Sequence, residues 1–194
     1  DFGRSYTFNV PVADLIGERA LNTLWLSLLS VFLLYLIAIP LGVIAGRFHD
    51  SLLDKTIVLY SFIVFAIPTF VLGLINLFFF GYELGWFPTS GTVDIKYESG
   101  TAGFIWSKFY HILLPAITYA LLATTGIIQY LRSEIIDSKS LDYVRTAKSK
   151  GIPINKVYSR HILRNSLLPI AAFLGFTITG LLTGSIFIET IFGY

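Results

Sequence analysis

The sequence predicts an all-α, polytopic membrane bundle with four spans. Three observations predict it. Hydrophobic residues fill 55% of the 194 positions and charged residues only 13%, against about 25% charged in soluble domains. The apolar residues lie in unbroken runs of the length a helix needs to cross a hydrocarbon layer about 30 Å thick. The basic residues collect on alternate connections between those runs, as they do in membrane proteins. An unusually apolar soluble helical domain is the rival class, but it would show apolar stripes rather than runs. A closed barrel would need short alternating strands, and these runs do not alternate.

Residues 1–22 form a polar, partly amphipathic lead-in, expected outside the membrane. The apolar segments follow at residues 23–46, 56–81, 112–131 and 166–188. Each is expected to be a helix, because irregular backbone facing lipid leaves amides without partners. Each carries a proline: Pro40, Pro68, Pro115 and Pro169. Interior proline removes a helical hydrogen bond, but in a membrane neighbouring helices satisfy the freed carbonyl. The prolines therefore read as tolerated kinks, serving either packing or the shaping of a hinge or pore.

The connections are unequal. Residues 47–55 make a short polar loop, and 82–111 a longer one with the turn formers Pro88, Gly91, Gly100 and Gly103. Residues 132–165 are long and basic, and 189–194 begin an outer loop. Segments 47–55 and 132–164 together hold ten Lys and Arg, against Arg4, Arg19, Lys96 and Lys108 on the other side. Cytoplasmic flanks carry that excess, so the lead-in and the 82–111 loop are expected outside. Trp25, Trp86, Trp106, Tyr82 and Tyr110 would then form an aromatic belt at the outer interface.

The basic hairpin is patterned. Ser140 is a candidate N-cap, with Asp142 in the first turn. Lys148 and Lys150 sit where cations suit a helix end, Gly151 supplies a stop, and Pro153 bars continuation. A short helix over 141–150 is expected. It is too short to be stable alone in water, so either its own bundle or a partner must hold it. A second helix should start near Pro153, with Lys156, Arg160 and Arg164 lining one face and Val157 and His161 on a neighbouring one. That stripe suits anionic headgroups, which do not account for the short helix and its glycine break.

The run Asp142-Tyr143-Val144-Arg145-Thr146-Ala147-Lys148-Ser149-Lys150-Gly151, followed by Arg160-His161-Ile162-Leu163-Arg164-Asn165-Ser166-Leu167-Leu168-Pro169, resembles the cytoplasmic loop of bacterial ABC importer permeases. It is most similar to the B-type membrane subunit of the oligopeptide/dipeptide group. Asp1-Phe2-Gly3-Arg4-Ser5, Pro11-Val12, Ile39-Pro40-Leu41-Gly42 and Ile188-Glu189-Thr190-Ile191-Phe192 resemble other parts of that subunit. The general permease signature reads Glu-Ala-Ala, three residues, then Gly. This chain has Arg145-Thr146-Ala147, three residues, then Gly151, with Leu168-Pro169 later than the general spacing.

The resemblance implies a multi-pass subunit of the bacterial plasma membrane that passes peptides inward. Residues 23–188 would be its permease domain and 132–165 its cytoplasmic coupling loop. The short helix would dock in a cleft of an ATPase through Asp142, Tyr143, Arg145, Thr146, Ala147, Lys148 and Gly151. The implied partners are a second permease subunit, two cytoplasmic ATPases, an extracellular substrate-binding protein and membrane lipid. Nickel or another small solute is the alternative cargo within the same group. The chain opens on Asp1 rather than methionine, and the resemblance implies that first and last spans of a six-helix subunit lie outside it.

No phosphate-binding G-x-x-x-x-G-K-[ST] run occurs, so ATP hydrolysis is expected on a separate chain, and no cofactor on this one. There is no cysteine, hence no disulfide or thiolate chemistry. His49, His111 and His161 lack metal-ligand spacing, and the basic residues flank spans instead of forming a nucleic-acid face. An intramembrane enzyme would need paired carboxylates or a nucleophile at membrane depth. An ion-coupled carrier or channel would need ionisable groups inside the spans. Neither pattern is present. The polar span residues Asn76, Thr124, Thr125, Gln129, Thr177, Thr179, Thr183 and Ser185 serve either interhelical hydrogen bonding or a hydrated pathway. Thr179, Thr183 and Glu189 are the candidates for the pathway and its outer mouth, Glu189 meeting either a binding protein or headgroups. The G-x-x-x-G spacings Gly42 to Gly46 and Gly180 to Gly184 allow close helix contact.

Overall fold

A computed structural model describes residues 2–6, 9–184 and 186–194, with side chains except at residues 18 and 181–184. Apart from an isolated bridge between Arg4 and Pro11, the regular structure among the described residues is helical. In chain order the helices are α1 Val12–Arg47, α2 Leu52–Ala66, α3 Thr69–Asn76, α4 Ala102–Ser138, α5 Asp142–Ser149, α6 Ile154–Val157, α7 Leu163–Gly184 and α8 Ile186–Phe192. Wider π-helical turns extend α3 over Leu77–Glu83 and join α6 to α7 over Tyr158–Ile162. Three helices are long and apolar enough to cross a membrane: α1, α4 and the run Ile154–Gly180. The pair α2 and α3 makes a fourth if its two pieces form one span.

The helices outrun the apolar segments. α1 begins eleven residues before position 23, with Asp14 in its first turn, where a carboxylate favours a helix start. Half of the 1–22 lead-in is therefore helical. α4 begins inside the segment read as loop: Thr101 Oγ1 accepts the Phe104 N–H at 3.2 Å, a side-chain N-cap. α8 carries helix through residues 189–192, where a loop was expected. The expected continuous helix over 56–81 is instead interrupted. α2 ends at Ala66, Ile67 is extended at φ −84° and ψ 123°, and α3 restarts at Thr69. Pro68 is the cause, because its ring disfavours helical backbone in the residue before it. Pro40, Pro115 and Pro169 lie inside unbroken helices.

The chain divides into two compact units. One comprises Phe32–Pro68 and Ala120–Thr177. Its core has Leu34, Ala38, Ala45 and Ile57 against Ala120 and Ile128. A second cluster joins Leu131, Ile135, Val144, Ala147, Val157, Ile162 and Ile170. The Gly42 to Gly46 spacing works as expected, since a Cβ on Gly46 would lie 2.8 Å from Ile135 Cβ and 3.1 Å from the Arg132 carbonyl. α1 and α4 touch there along their backbones. Gly180 has open space around it, so that glycine makes no close helix contact among the described residues. Hydroxyl pairs cross between helices, Tyr35 with Thr177 at 3.2 Å and Tyr60 with Thr124 at 3.0 Å, and Thr125 donates to the Ser61 carbonyl at 3.4 Å.

We expect Gly46→Ala to destabilise the protein by about 1–3 kcal/mol, because a branched side chain and a backbone carbonyl cannot both retreat. Gly126→Ala, in open space, should gain up to about 1 kcal/mol of helix propensity. Thermal unfolding of the two purified variants checks this, and equal effects would refute the close contact.

The other unit comprises Asp1–Val31, Thr69–Tyr119 and Ile178–Tyr194. Gly73 of α3 faces Ile188 and Ile191 of α8, and Asn76 donates to Thr118 Oγ1 at 3.0 Å. Trp25, Trp86, Trp106, Tyr82 and Tyr110 are all surface-exposed, as a belt requires. The Tyr110 hydroxyl bonds the Trp86 carbonyl, fixing the loop to α4. Asp94 and Lys96 pair at 2.7 Å in that loop, and the ammonium holds the Asp94 carboxyl below its ordinary value.

Candidate functional site

The basic hairpin folds as a short helix clamped on its own bundle. α5 runs over eight residues, from Asp142 to Ser149. Ser140 is not its cap: the Ser140 hydroxyl donates back to the Asp137 carbonyl at 2.8 Å, and Leu141 takes the N-cap position with no side-chain bond. The other end closes as the glycine implied. Gly151 adopts φ +73°, its N–H donates to the Lys148 carbonyl at 2.9 Å, and the Ile152 N–H reaches the Ala147 carbonyl at 3.3 Å. These are the paired closing bonds of a glycine-ended helix, and Ile152 packs on the core beneath.

What holds so short a helix is its inner face. Val144 and Ala147, three apart and hence on one side, are buried against Leu131, Ile135, Val157, Ile162 and Ile170. Of the residues implied to couple, Asp142, Arg145, Thr146, Lys148 and Gly151 are exposed, Tyr143 is half-buried and Ala147 is buried. Ala147 thus seats the helix instead of presenting a contact. The outer face is cationic and lightly tethered: Arg145 approaches Asp142 only at 3.5 Å, both well exposed.

The polar contacts around the loop that follows α1 were not legible as a site. Asp54, 2% exposed, accepts from Arg132 Nε at 2.6 Å and Nη2 at 2.9 Å. It also accepts the Asp50 N–H at 2.9 Å, while its own N–H is capped by Ser51 Oγ at 3.2 Å. Lys139 donates to the carbonyls of Gly46 at 2.6 Å and Arg47 at 3.1 Å, where a cation suits the end of α1. Arg47 in turn bonds Asn155 Oδ1 at 2.6 Å and lies 4.9 Å from the centre of the Tyr158 ring. Together these side chains tie the end of α1 and the start of α2 to residues on both sides of α5. The local signal was Ser51-Leu52-Leu53-Asp54 before an apolar run, a capping spacing.

His49, Asp50 and Asp54 place ligand atoms within 4.8 Å of one another. Both Asp54 oxygens are already engaged by Arg132 and the Asp50 amide, so the trio reads as an ion pair with neighbours. Thr179 is exposed, and Thr183 lies outside the described side chains. Glu189 is half-buried, its Oε1 enclosed without a hydrogen-bond partner among the described residues. Burial, with Glu189 nearby, pushes the Tyr194 hydroxyl up to about 12. Gln129 Nε2 is likewise enclosed and unpartnered among the described residues. This arrangement presents a short helix seated by its inner face, with an exposed and mainly cationic outer face.

Residues 38–194 match the family described as the binding-protein-dependent transport system inner membrane component. The oligopeptide transport system permease protein AppB of Bacillus subtilis is 39% identical over 193 residues, covering 99% of this chain and 60% of its own length. The glutathione transport system permease protein GsiC of Escherichia coli K12 is 30% identical over 194 residues, covering 100% of this chain and 59% of its own. The chain thus spans about 60% of the relatives it matches. The long apolar helices make it a multi-pass protein of the bacterial plasma membrane. A match across four-fifths of the chain, containing the whole glycine-ended hairpin, decides the matter: this protein belongs to the family of binding-protein-dependent transport system inner membrane components.

Proposed function

We propose that this chain is the membrane-spanning part of a permease subunit in an ATP-driven importer of peptides. α5 is its coupling helix. One observation carries the reading: the inner face of α5 is fixed to the bundle by Val144 and Ala147, while Asp142, Arg145, Thr146 and Lys148 are left exposed. A helix anchored on one side and bare on the other transmits a push as a rigid body. ATP hydrolysis, and any cofactor it needs, belongs to two partner ATPases. A second permease subunit and an extracellular binding protein complete the assembly. Peptide cargo is supported by the relatives, named for oligopeptide and glutathione transport. Thr179, Thr183 and Glu189 remain the proposed pathway and outer-mouth residues.

The test is uptake of a labelled peptide into vesicles holding the full-length subunit and its partners. Uptake should require ATP and stop when hydrolysis is blocked on the ATPase. Uptake that persists without hydrolysis overturns the proposal.

A further inference from the structure

Between Asp142 and Glu189 the chain has no carboxylate, yet it carries Arg145, Lys148, Lys150, Lys156, Arg160 and Arg164. All six are exposed, and among the described residues only Arg145 makes an ion pair. They divide by position. Arg145, Lys148 and Lys150 belong to α5 and its end. Lys156, Arg160 and Arg164 lie on the continuous helical run that becomes the span Ile154–Gly180.

Depth distinguishes the second group. The first well-exposed apolar residue after Arg164 is Leu168, 65% exposed, followed by Phe173, Leu174 and Phe176. At about 1.5 Å per residue, Arg164 stands about 6 Å above Leu168, Arg160 about 12 Å and Lys156 about 18 Å. The headgroup layer occupies roughly 5–8 Å on each side of the hydrocarbon. Arg164 is therefore level with headgroups, Arg160 is within side-chain reach of them, and Lys156 lies within about one screening length of the surface. The backbone also aligns the three. In an α-helix a row at every fourth residue winds about 40° per step. The wider turns of Tyr158–Ile162 reduce that drift, so the cations lie closer to one line.

We propose that Arg160 and Arg164, reinforced by the field of Lys156, form a docking surface for the phosphate headgroups of anionic phospholipids in the cytoplasmic leaflet. Planar guanidinium groups bond phosphate oxygens in pairs, and among the described residues neither guanidinium is ion-paired with a carboxylate. This rests on the multi-pass reading and on the orientation given by the basic residues, but not on ATP coupling, so it stands or falls separately from the proposed transport cycle.

The experiment uses the full-length subunit with its partners in phosphatidylcholine bilayers, with spin-labelled phosphatidylglycerol or spin-labelled phosphatidylcholine as the probe. Wild type should prefer phosphatidylglycerol. Arg160→Gln and Arg164→Gln should each weaken that preference about fivefold, and the double variant should approach parity. Lys108→Gln removes the same charge from the other side and should leave the preference unchanged. Retained helicity and elution volume show that the variants fold. The proposal is overturned if wild type shows no preference, if Lys108→Gln weakens it as much, or if the double variant keeps it. A double variant that keeps the lipid preference but sheds the ATPase would assign the surface to a protein contact instead.

Discussion

Asp54→Ala should lower the stability of the purified protein by about 3 kcal/mol, a drop in unfolding midpoint of roughly 6–12 °C. The Asp54 side chain is 2% exposed and that of Arg132 22%. Deleting the carboxylate leaves two guanidinium donors facing a poorly solvated interior, together with the unanswered Asp50 N–H. The lower end of the range for broken buried pairs applies, because partial exposure lets water reach Arg132. The double variant Asp54→Ala/Arg132→Leu should recover most of the loss. Replacing both members of a buried pair by apolar groups is often nearly neutral, while removing one is not. If the single and double variants unfold at the same temperature, the pair contributes nothing through its charge and the clamp is a matter of packing alone.

The second large effect is expected at Gly151. Proline cannot adopt φ +73° and has no N–H to give the Lys148 carbonyl. Gly151→Pro should therefore unseat the end of α5, and under the proposed cycle reduce peptide uptake at least about tenfold, a change worth about 1.4 kcal/mol of coupling, while leaving membrane insertion intact. A graded series separates backbone geometry from surface contact. Asparagine tolerates this conformation best after glycine, and alanine pays roughly 1–2 kcal/mol for it. Uptake, and hydrogen-exchange protection of the α5 amides, should both fall in the order Gly, Asn, Ala, Pro. Uptake lost to Asn and Pro alike, with protection unchanged, would make Gly151 a contact residue instead of a helix stop.

The short helix α5 shows where local reading succeeds and where it stops. Its existence, its acidic first turn and its glycine end were legible, because each depends on residues within one or two turns. Its capping was misread, because Ser140 had a competing acceptor at Asp137 on the end of α4. Its inner face, Val144 and Ala147, was assigned only by the structure, because the local sequence left open whether the bundle or a partner holds the helix. The residues implied to meet a motor therefore included Ala147, which the fold turns inward.

The sequence alone determined the solvent and the class of this protein. Unbroken apolar runs can be satisfied only by helices in lipid, and the count of ten basic residues against four gives an expected orientation. Only the tertiary structure decided which of those basic residues remain available. Arg132 is committed to Asp54, 78 positions away, and Lys139 to the Gly46 carbonyl, 93 positions away, whereas Arg160 and Arg164 stay exposed. Periodicity and capping signals extend over a few residues, so they carry no information about such partners. Long-range pairing is settled when backbones meet at Gly42 and Gly46, and charges on α4 then fall beside the loop that follows α1.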